Sequence, residues 1–248
     1  MSEKHFMEQK NHASAYLIPY LERRLPDFHR LRILEIGCAE AGFLDALRER
    51  GIRAVGLELE PHRIALSKAQ NPDLEILAGD ITDPGVVRRL GRTFDLIVMR
   101  DVIEHVPDKV AAFRNMRALL KPEGRLYITF PPRFSPFGGH HQNGRTFLKK
   151  IPYLHLLPPK VIRLLGRMTG EYPHIIENAV GNYRIGLSIR RFDSLCRSHG
   201  FGTEVRELFL FRPVYRTRMG LKPRRLPDLP LIREFLVFGC ECLLKRTG

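Results

Sequence analysis

Three histidines lie shortly after two apolar segments in the middle of the sequence. His105 follows the run Phe94–Met99, and His140 and His141 follow a second run that ends at Phe130. If both runs are parallel strands, the three imidazoles share the carboxyl edge of a sheet, where ligands bind in open α/β folds. Imidazole is the natural general base at neutral pH, so these histidines are candidate bases. The alternative for His140 and His141 is a basic loop exposed to solvent.

The segment around His105 also has the spacing of a metal site. Asp101, Glu104 and His105 stand at i, i+3 and i+4, so on a helical turn they share a face and can ligate a divalent ion. In the alternative interpretation, Glu104 and His105 only hydrogen-bond the loop or orient a substrate. The spacing leaves both interpretations open.

A loop of small residues in the stretch LRILEIGCAEAGFL predicts a ligand-binding turn between a strand and a helix. Gly37 permits a tight turn, and Ala39, Ala41 and Gly42 let the backbone approach a ligand closely. The helix that follows should present free N–H groups and the positive end of its dipole. Cys38 is interpreted as a small packing residue rather than a nucleophile.

Two acids further along complete a nucleoside-binding pattern. Glu58 ends the second predicted strand, where a carboxylate can hydrogen-bond both hydroxyls of a ribose. Asp80 follows the third strand and can accept from an adenine amino group, beside an apolar contact from Ile81. Glu40 in the loop would repel a pyrophosphate, which argues against a dinucleotide. S-adenosylmethionine, which carries a sulfonium and an ammonium, fits these carboxylates better.

Five motifs occur in the order and spacing of class I S-adenosylmethionine-dependent methyltransferases, which the chain resembles: EIGCAEAGF, GLELEP, GDITD, FDLIVMRDVIEHVPD and LKPEGRLYITFPP. The resemblance is close over residues 30–132, and VIEHVPD is most similar to the group that contains the ubiquinone-biosynthesis O-methyltransferases. It implies a Rossmann-like α/β sandwich with a seven-stranded, mostly parallel sheet and an antiparallel last strand. The residues to which it assigns cofactor contacts are Glu35, Gly37, Cys38, Ala39, Glu58, Leu59, Asp80, Ile81 and Arg100.

The sequence departs from the pattern of this group at two places. Ala39 and Ala41 replace the usual second and third glycines of the loop, and alanine is small enough for binding to survive. Some quinone O-methyltransferases use an acid-acid-histidine set for magnesium, so the resemblance implies Mg²⁺ at Asp101, Glu104 and His105. The first acid of that set is Glu in those relatives and Asp here.

The elements that must position these residues alternate between strands and helices over residues 29–132, after an N-terminal helical segment at 1–28. This alternation predicts right-handed crossovers and a parallel sheet. Residues 133–186 are rich in Pro, Gly and basic side chains and are interpreted as a lid inserted after the fifth strand. Residues 187–248 are interpreted as a helix and the last two strands, with the final strand near Phe235–Leu244. All segments are assigned to one methyltransferase domain.

The charge of the chain is concentrated in its second half. The sequence has 41 basic and 27 acidic side chains, which gives a formal net charge of +14. Residues 1–130 contain 20 basic and 19 acidic side chains and residues 131–248 contain 21 and 8, so their net charges are +1 and +13. The charge therefore belongs to the lid and the connections behind it, and it suits a phosphate-rich or anionic partner.

One segment of the lid, PPKVIRLLGRM, predicts a short basic amphipathic helix. Its apolar side chains at helical spacing are Val161, Ile162, Leu164, Leu165 and Met168. Such a helix either packs its apolar stripe on the domain, which is the commoner outcome, or lies in a membrane interface. Both are compatible with a lid over an apolar substrate.

The function expected from these observations is methyl transfer to an oxygen of a small or lipid-linked acceptor, with peripheral contact to an anionic membrane. RNA or tRNA methylation is the alternative, although the sequence has no Trp and no Asn/Asp-Pro-Pro-Tyr/Phe tetrad. A cofactor-binding regulator without activity is a third class. Cysteines without metal spacing and a polar N-terminal stretch favour the cytoplasm.

Overall fold

The computed structural model describes residues 2–247. Its strands form one sheet and are β1 (Ile33–Ile36), β2 (Ala54–Glu58), β3 (Ile76–Ala78), β4 (Phe94–Arg100), β5 (Leu120–Phe130), β6 (Phe201–Phe211), β7 (Arg224–Arg225) and β8 (Gly239–Arg246). The spatial order is β3-β2-β1-β4-β5-β8-β6-β7. Strands β1 to β5 are parallel, and β8 is antiparallel to both β5 and β6. The predicted fold class is confirmed; the sheet has eight strands rather than seven because the two-residue β7 adds an edge.

Helices cover both faces of the sheet. They are α1 (Ser2–His12), α2 (Ile18–Glu22), α3 (Gly42–Arg48), α4 (Pro61–Gln70), α5 (Val86–Leu90), α6 (Lys109–Leu119), α7 (Pro159–Thr169), α8 (Pro173–Ile185), α9 (Ile189–Ser198), α10 (Val214–Met219) and α11 (Pro230–Phe235). One face of the sheet is covered by α3 and by the N-terminal segment that runs from α1 to α2, and their core includes Leu17, Phe43 and Tyr127. Helices α5, α6 and α9 pack on the other, around Phe113 and Phe192. These helices bury apolar side chains against the sheet, which is the physical basis of the sandwich.

Local chemistry fixes the helix ends. The side chain of Asp108 accepts from the N–H of Ala111 at 2.9 Å and caps α6. Ser188 caps α9 in the same way through the N–H of Arg191 at 3.2 Å, and Gly200, with φ 64°, follows its end. These caps place the connecting loops at the sheet edges.

The predicted final strand begins too early. Residues 230–235 form α11, and β8 begins at Gly239. Glu234 of α11 accepts from the N–H groups of Ile189 at 3.3 Å and Arg190 at 2.8 Å, so it caps the first turn of α9. The prediction was wrong there because an apolar run of this length fits a helix turn as well as a strand.

The lid at residues 133–186 has a small core of its own. That core contains Leu148, Leu154, Ile162, Ile176, Ala179 and Val180. Helix α8 packs on α7 and also on the 3₁₀ turn Ile103–His105 that follows β4. The lid therefore lies against the loop that carries the candidate site. Among residues 2–247, no helix is long and apolar enough to cross a bilayer.

Candidate active site

The loop after β1 has the conformation that its small residues predict. Gly37 (φ 69°), Ala39 (φ 52°) and Ala41 (φ 63°) all adopt left-handed backbone conformations. A Cβ added at Gly37 would lie 2.4 Å from Cγ2 of Val102, so space as well as backbone requires glycine there. The two alanines carry a strain of about 1–2 kcal/mol each, which the surrounding packing must hold.

Helix α1 and β2 occupy N–H donors of this loop that were expected to be free. The N–H of Gly42, in the first turn of α3, donates to Oε1 of Gln9 at 3.0 Å. The N–H of Ala39 donates to Oε2 of Glu58 at 2.8 Å. One N–H of the helix N-terminus is therefore occupied, and so is one N–H of the loop before it, which reduces the donors available to a pyrophosphate.

Glu40 faces α1 and is partly neutralised. Its carboxylate bonds the ring of His5, and Nη1 of Arg63 lies 3.9 Å from Oε2. Although burial opposes ionisation, the hydrogen bond with His5 holds the pKa of Glu40 below its usual value. The case against a dinucleotide therefore rests more on the occupied N–H groups than on the charge of Glu40.

Backbone N–H groups fix the two acids after β2 and β3. Besides Ala39, Glu58 accepts from the N–H of Glu60 at 3.0 Å. Oδ1 of Asp80 accepts from the N–H of Thr82 at 2.8 Å. These bonds fix both carboxylates and leave lone pairs available for a ligand.

A cleft of about 710 Å³ opens at the carboxyl edge of the parallel strands. This volume lies within the range of small-molecule sites, roughly 300–1,000 Å³. The predicted cofactor residues that line it are Gly37, Glu58, Leu59, Asp80 and Ile81. The lining residues that sequence reasoning missed include Arg63, Val102, Val106, Asn143 and Asn178. The two asparagines come from the lid, and nothing in the local sequence marks them as cleft residues.

Four predicted cofactor residues do not line this cleft. Glu35 is 1% exposed, and its Oε1 accepts from Nη2 of Arg100 at 2.5 Å beneath the loop. Cys38 is also 1% exposed and packs against Gly56. Burial raises the pKa of both the Glu35 carboxyl and the Cys38 thiol. These two side chains support the loop from below, while Ala39 and Arg100 line a neighbouring cavity.

That neighbouring cavity measures about 230 Å³ and shares Gly37 and Asp101 with the cleft. Other side chains in its walls are Tyr127, Thr129, Arg212 and Glu241. Glu241 is buried and accepts from the hydroxyls of Tyr16 at 2.8 Å and Tyr127 at 3.0 Å. Burial raises the pKa of Glu241 to about 7, so this carboxyl exchanges protons near neutral pH.

His105 and His140 meet at the buried carboxylate of Glu104, and both line the cleft. Nε2 of His140 lies 3.6 Å from Oε1 of Glu104, and Nε2 of His105 lies 3.8 Å from it. Within residues 2–247, neither oxygen of Glu104 has a hydrogen-bond partner, although the side chain is fully buried. Burial lowers the pKa of His105, which favours the neutral imidazole that a base requires.

His141 lies in the lid core rather than in the cleft. It is 1% exposed, and its Nε2 bonds the carbonyl oxygen of Ile151 at 2.7 Å. Its ring also packs against those of Phe137 and His155. The structure therefore does not support His141 as a base, and of the two neighbouring histidines only His140 reaches the cleft.

The metal set predicted from the sequence is not formed. Both carboxylate oxygens of Asp101 accept from Nη2 of Arg212, at 2.6 and 2.7 Å. Glu104, His105 and His140 instead bring one ligand atom each to within 4.8 Å of one another. Mg²⁺ takes oxygen ligands, whereas one carboxylate and two imidazoles suit ions such as Zn²⁺. The donor set of this site therefore does not fit magnesium.

The strand order, the left-handed loop after β1 and the two acids after β2 and β3 define a class I S-adenosylmethionine-dependent methyltransferase. The chain belongs to the methyltransferase-domain family, whose profile matches residues 8–168. This membership confirms the class that the motifs indicate.

Curated relatives point to the same class. A ubiquinone biosynthesis O-methyltransferase of Actinobacillus pleuropneumoniae serotype 5b (strain L20) is 25% identical over 118 residues, which cover 45% of this chain and 50% of the relative. That of Aeromonas salmonicida (strain A449) is 27% identical over 100 residues, which cover 40% and 42%. The chain thus spans about half the length of the curated relatives it matches.

Solved structures share the fold at low identity. An S-adenosylmethionine-dependent methyltransferase from Mesorhizobium loti superposes with a TM-score of 0.57 at 18% identity, over 92% of this chain and 96% of that one. Magnesium protoporphyrin IX methyltransferase from Synechocystis, with SAH (S-adenosylhomocysteine) bound, gives a TM-score of 0.56 at 13% identity, over 97% and 84%. These likenesses show the fold.

Proposed function

We propose that the protein transfers a methyl group from S-adenosylmethionine to a hydroxyl group of a small or lipid-linked acceptor. One observation carries the proposal: the cleft lined by Glu58 and Asp80 continues to His105 and His140. An in-line transfer needs the acceptor, methyl and sulfur aligned in one cavity. The relatives named as O-methyltransferases support oxygen as the acceptor atom.

Six residues that line the cleft are assigned roles in the proposed reaction. Glu58 would hydrogen-bond the ribose hydroxyls, Asp80 would accept from the adenine amino group, and Leu59 and Ile81 offer apolar contacts to the base. S-adenosylmethionine supplies an electrophilic methyl group on a sulfonium. His105 or His140 would take the acceptor's hydroxyl proton, and S-adenosylmethionine held by Glu58 and Asp80 would supply the methyl group to the acceptor oxygen with loss of its carbon–sulfur bond.

Ligand titration and product analysis test this proposal. Calorimetry should show that the protein binds S-adenosylmethionine and SAH but not NAD, because Glu58 and Gln9 occupy two N–H donors that a pyrophosphate would need. Methyl transfer from labelled cofactor into a cell extract should then label small-molecule or lipid fractions. Binding of NAD alone would overturn the class of cofactor, and label found only in RNA would overturn the acceptor.

Replacing the cleft histidine that acts as the base should slow the chemical step. Of His105→Ala and His140→Ala, the variant that removes the base is expected to lower kcat by about 100-fold or more, because a positioned base contributes roughly that factor. The affinity for SAH should change little, since the adenosine contacts come from Glu58 and Asp80. Stopped assays and calorimetry measure the two quantities. His174→Ala, an exposed lid histidine, is the matched control and should keep full activity; unchanged kcat in both cleft variants would contradict the assignment.

The donor set at Glu104 predicts which divalent ions bind. On EDTA-treated protein, Zn²⁺ and Co²⁺ should bind at least about 100-fold more tightly than Mg²⁺, because imidazole ligands favour the former. Glu104→Gln should weaken this binding, since the amide carries no charge. Calorimetry and the visible spectrum of Co²⁺ measure it. Equal affinity for Mg²⁺ would mean that a different, all-oxygen site is present.

A further inference from the structure

Helix α7 has an apolar arc that is wider than the lid core can cover. Ile162 is fully buried in that core, and Leu165 packs against it. Val161, Leu164 and Met168 remain 39%, 54% and 75% exposed. At 100° per residue these three side chains span about 60° on the uncovered side of the helix. The apolar stripe of α7 is therefore packed on the domain only in part: Ile162 and Leu165 are covered, and the other three side chains are not.

Exposed apolar side chains are concentrated on the lid. Of the thirteen large hydrophobic side chains exposed among the described residues, six lie between positions 147 and 172. Besides the three on α7 they are Phe147, Leu157 and Tyr172. Leu157 lies two residues before α7 begins. Exposed apolar side chains concentrated on one segment in this way indicate a binding surface rather than scattered exposure.

The side chains around this stripe are basic. Lys160 and Arg167 are exposed and lie within about 60° of Leu164 on the helix. Elsewhere in the lid, Lys149 and Lys150 of the 3₁₀ turn Phe147–Lys150 are also exposed. No acid occurs between residues 131 and 170, and Glu177 on α8 is neutralised by Arg163 at 2.8 and 2.9 Å.

We infer that the outer face of α7 docks on an anionic lipid bilayer, with Val161, Leu164 and Met168 inserted and Lys160 and Arg167 at the headgroups. An interfacial helix combines an apolar face with flanking basic residues in this way. A second copy of the chain would bring the same lysines and arginines against each other. Nucleic acid would account for the charge but not for the apolar stripe.

Docking here would place the acceptor end of the cleft near the membrane. Helix α8 joins α7 to the turn Ile103–His105, and the lid also supplies His140 to the cleft. The docking itself does not depend on the proposed function. It deepens that function only by favouring a lipid-linked acceptor.

Vesicle sedimentation of the full chain tests the inference. The protein should co-sediment with phosphatidylcholine vesicles that contain about one third phosphatidylglycerol, and at least tenfold less with phosphatidylcholine alone. Leu164→Glu with Met168→Glu should lower the partition coefficient by about tenfold or more, because two charges replace the inserted side chains. Val110→Glu, at a 52% exposed valine on α6, is the matched control and should bind as the unaltered protein does.

Binding of SAH to the double variant shows that its cleft is folded, so a loss of vesicle binding is then specific to the stripe. Vesicle binding that the double variant retains would overturn the inference. So would a dimer that the double variant abolishes, or binding to RNA with no binding to vesicles at matched salt. A failure of methyl transfer with vesicle binding intact would refute the proposed function alone.

Discussion

Gly37→Ala is expected to weaken SAH binding by about 100-fold, close to 2.7 kcal/mol, while the protein remains folded. Alanine at φ 69° is strained by about 1–2 kcal/mol. Its Cβ would also lie 2.4 Å from Cγ2 of Val102, so the loop or Val102 must move. Both line the cleft, so any shift alters the wall that the ligand contacts. Calorimetry gives the affinity, and thermal unfolding gives the stability.

Gly51 serves as a control that separates backbone strain from the close contact with Val102. Gly51 has φ 70°, and an added Cβ there would meet nothing within 4 Å. Gly51→Ala should therefore lower stability by about 1 kcal/mol and leave SAH binding unchanged. Adding Val102→Ala to Gly37→Ala removes the close contact and should restore part of the affinity. Wild-type affinity in Gly37→Ala alone would mean that the ligand does not contact this loop.

Arg212→Met is expected to destabilise the fold by about 2 kcal/mol, because it leaves the Asp101 carboxylate without its cation. Breaking a fully buried pair costs roughly 3–5 kcal/mol. The expected value is smaller because the Asp101 side chain is 37% exposed, and water screens its charge. Urea unfolding measures the free energy directly.

A double-mutant cycle isolates this ion pair. Asp101→Asn combined with Arg212→Met should cost less than the sum of the single changes, with a coupling of about 1–2 kcal/mol. Arg225→Met is the control, since Arg225 is 65% exposed although its Nη2 lies 2.7 Å from Glu207. It should change stability by less than about 0.5 kcal/mol. Additive costs at Asp101 and Arg212 would show that the pair contributes nothing specific.

The sequence was most informative where chemistry follows directly from a strand end. Gly37, Glu58 and Asp80 each stand within one or two residues of a parallel strand, and parallel strands bring their carboxyl ends to one edge. Their positions in the cleft were therefore predictable without knowledge of the side-chain packing. The caps at Asp108 and Ser188 likewise join residues only three positions apart.

Contacts between segments that are distant in sequence could not be predicted from local sequence patterns. Asp101 has the spacing of a metal ligand, yet its partner Arg212 stands 111 positions away. Gln9 likewise reaches Gly42 from another helix. His140 and His141 are adjacent in sequence, and only the fold of the lid turns one into the cleft and the other into a core. The partner and the location of each of these side chains depend on tertiary packing, which a local sequence pattern does not predict.

The place of β8 in the sheet has a consequence for the order in which the molecule can be assembled. In the described sheet, β6 joins the parallel strands only through β8, which pairs with β5 at Lys245 and with β6 at Arg246. During synthesis, β1 to β5 can therefore associate before β8 joins β6 and β7 to them. Arg212, just beyond β6, reaches Asp101 only after that step. In a nascent chain, the part of the cleft that contains Glu58 and Asp80 can thus form before the ion pair of Asp101 with Arg212.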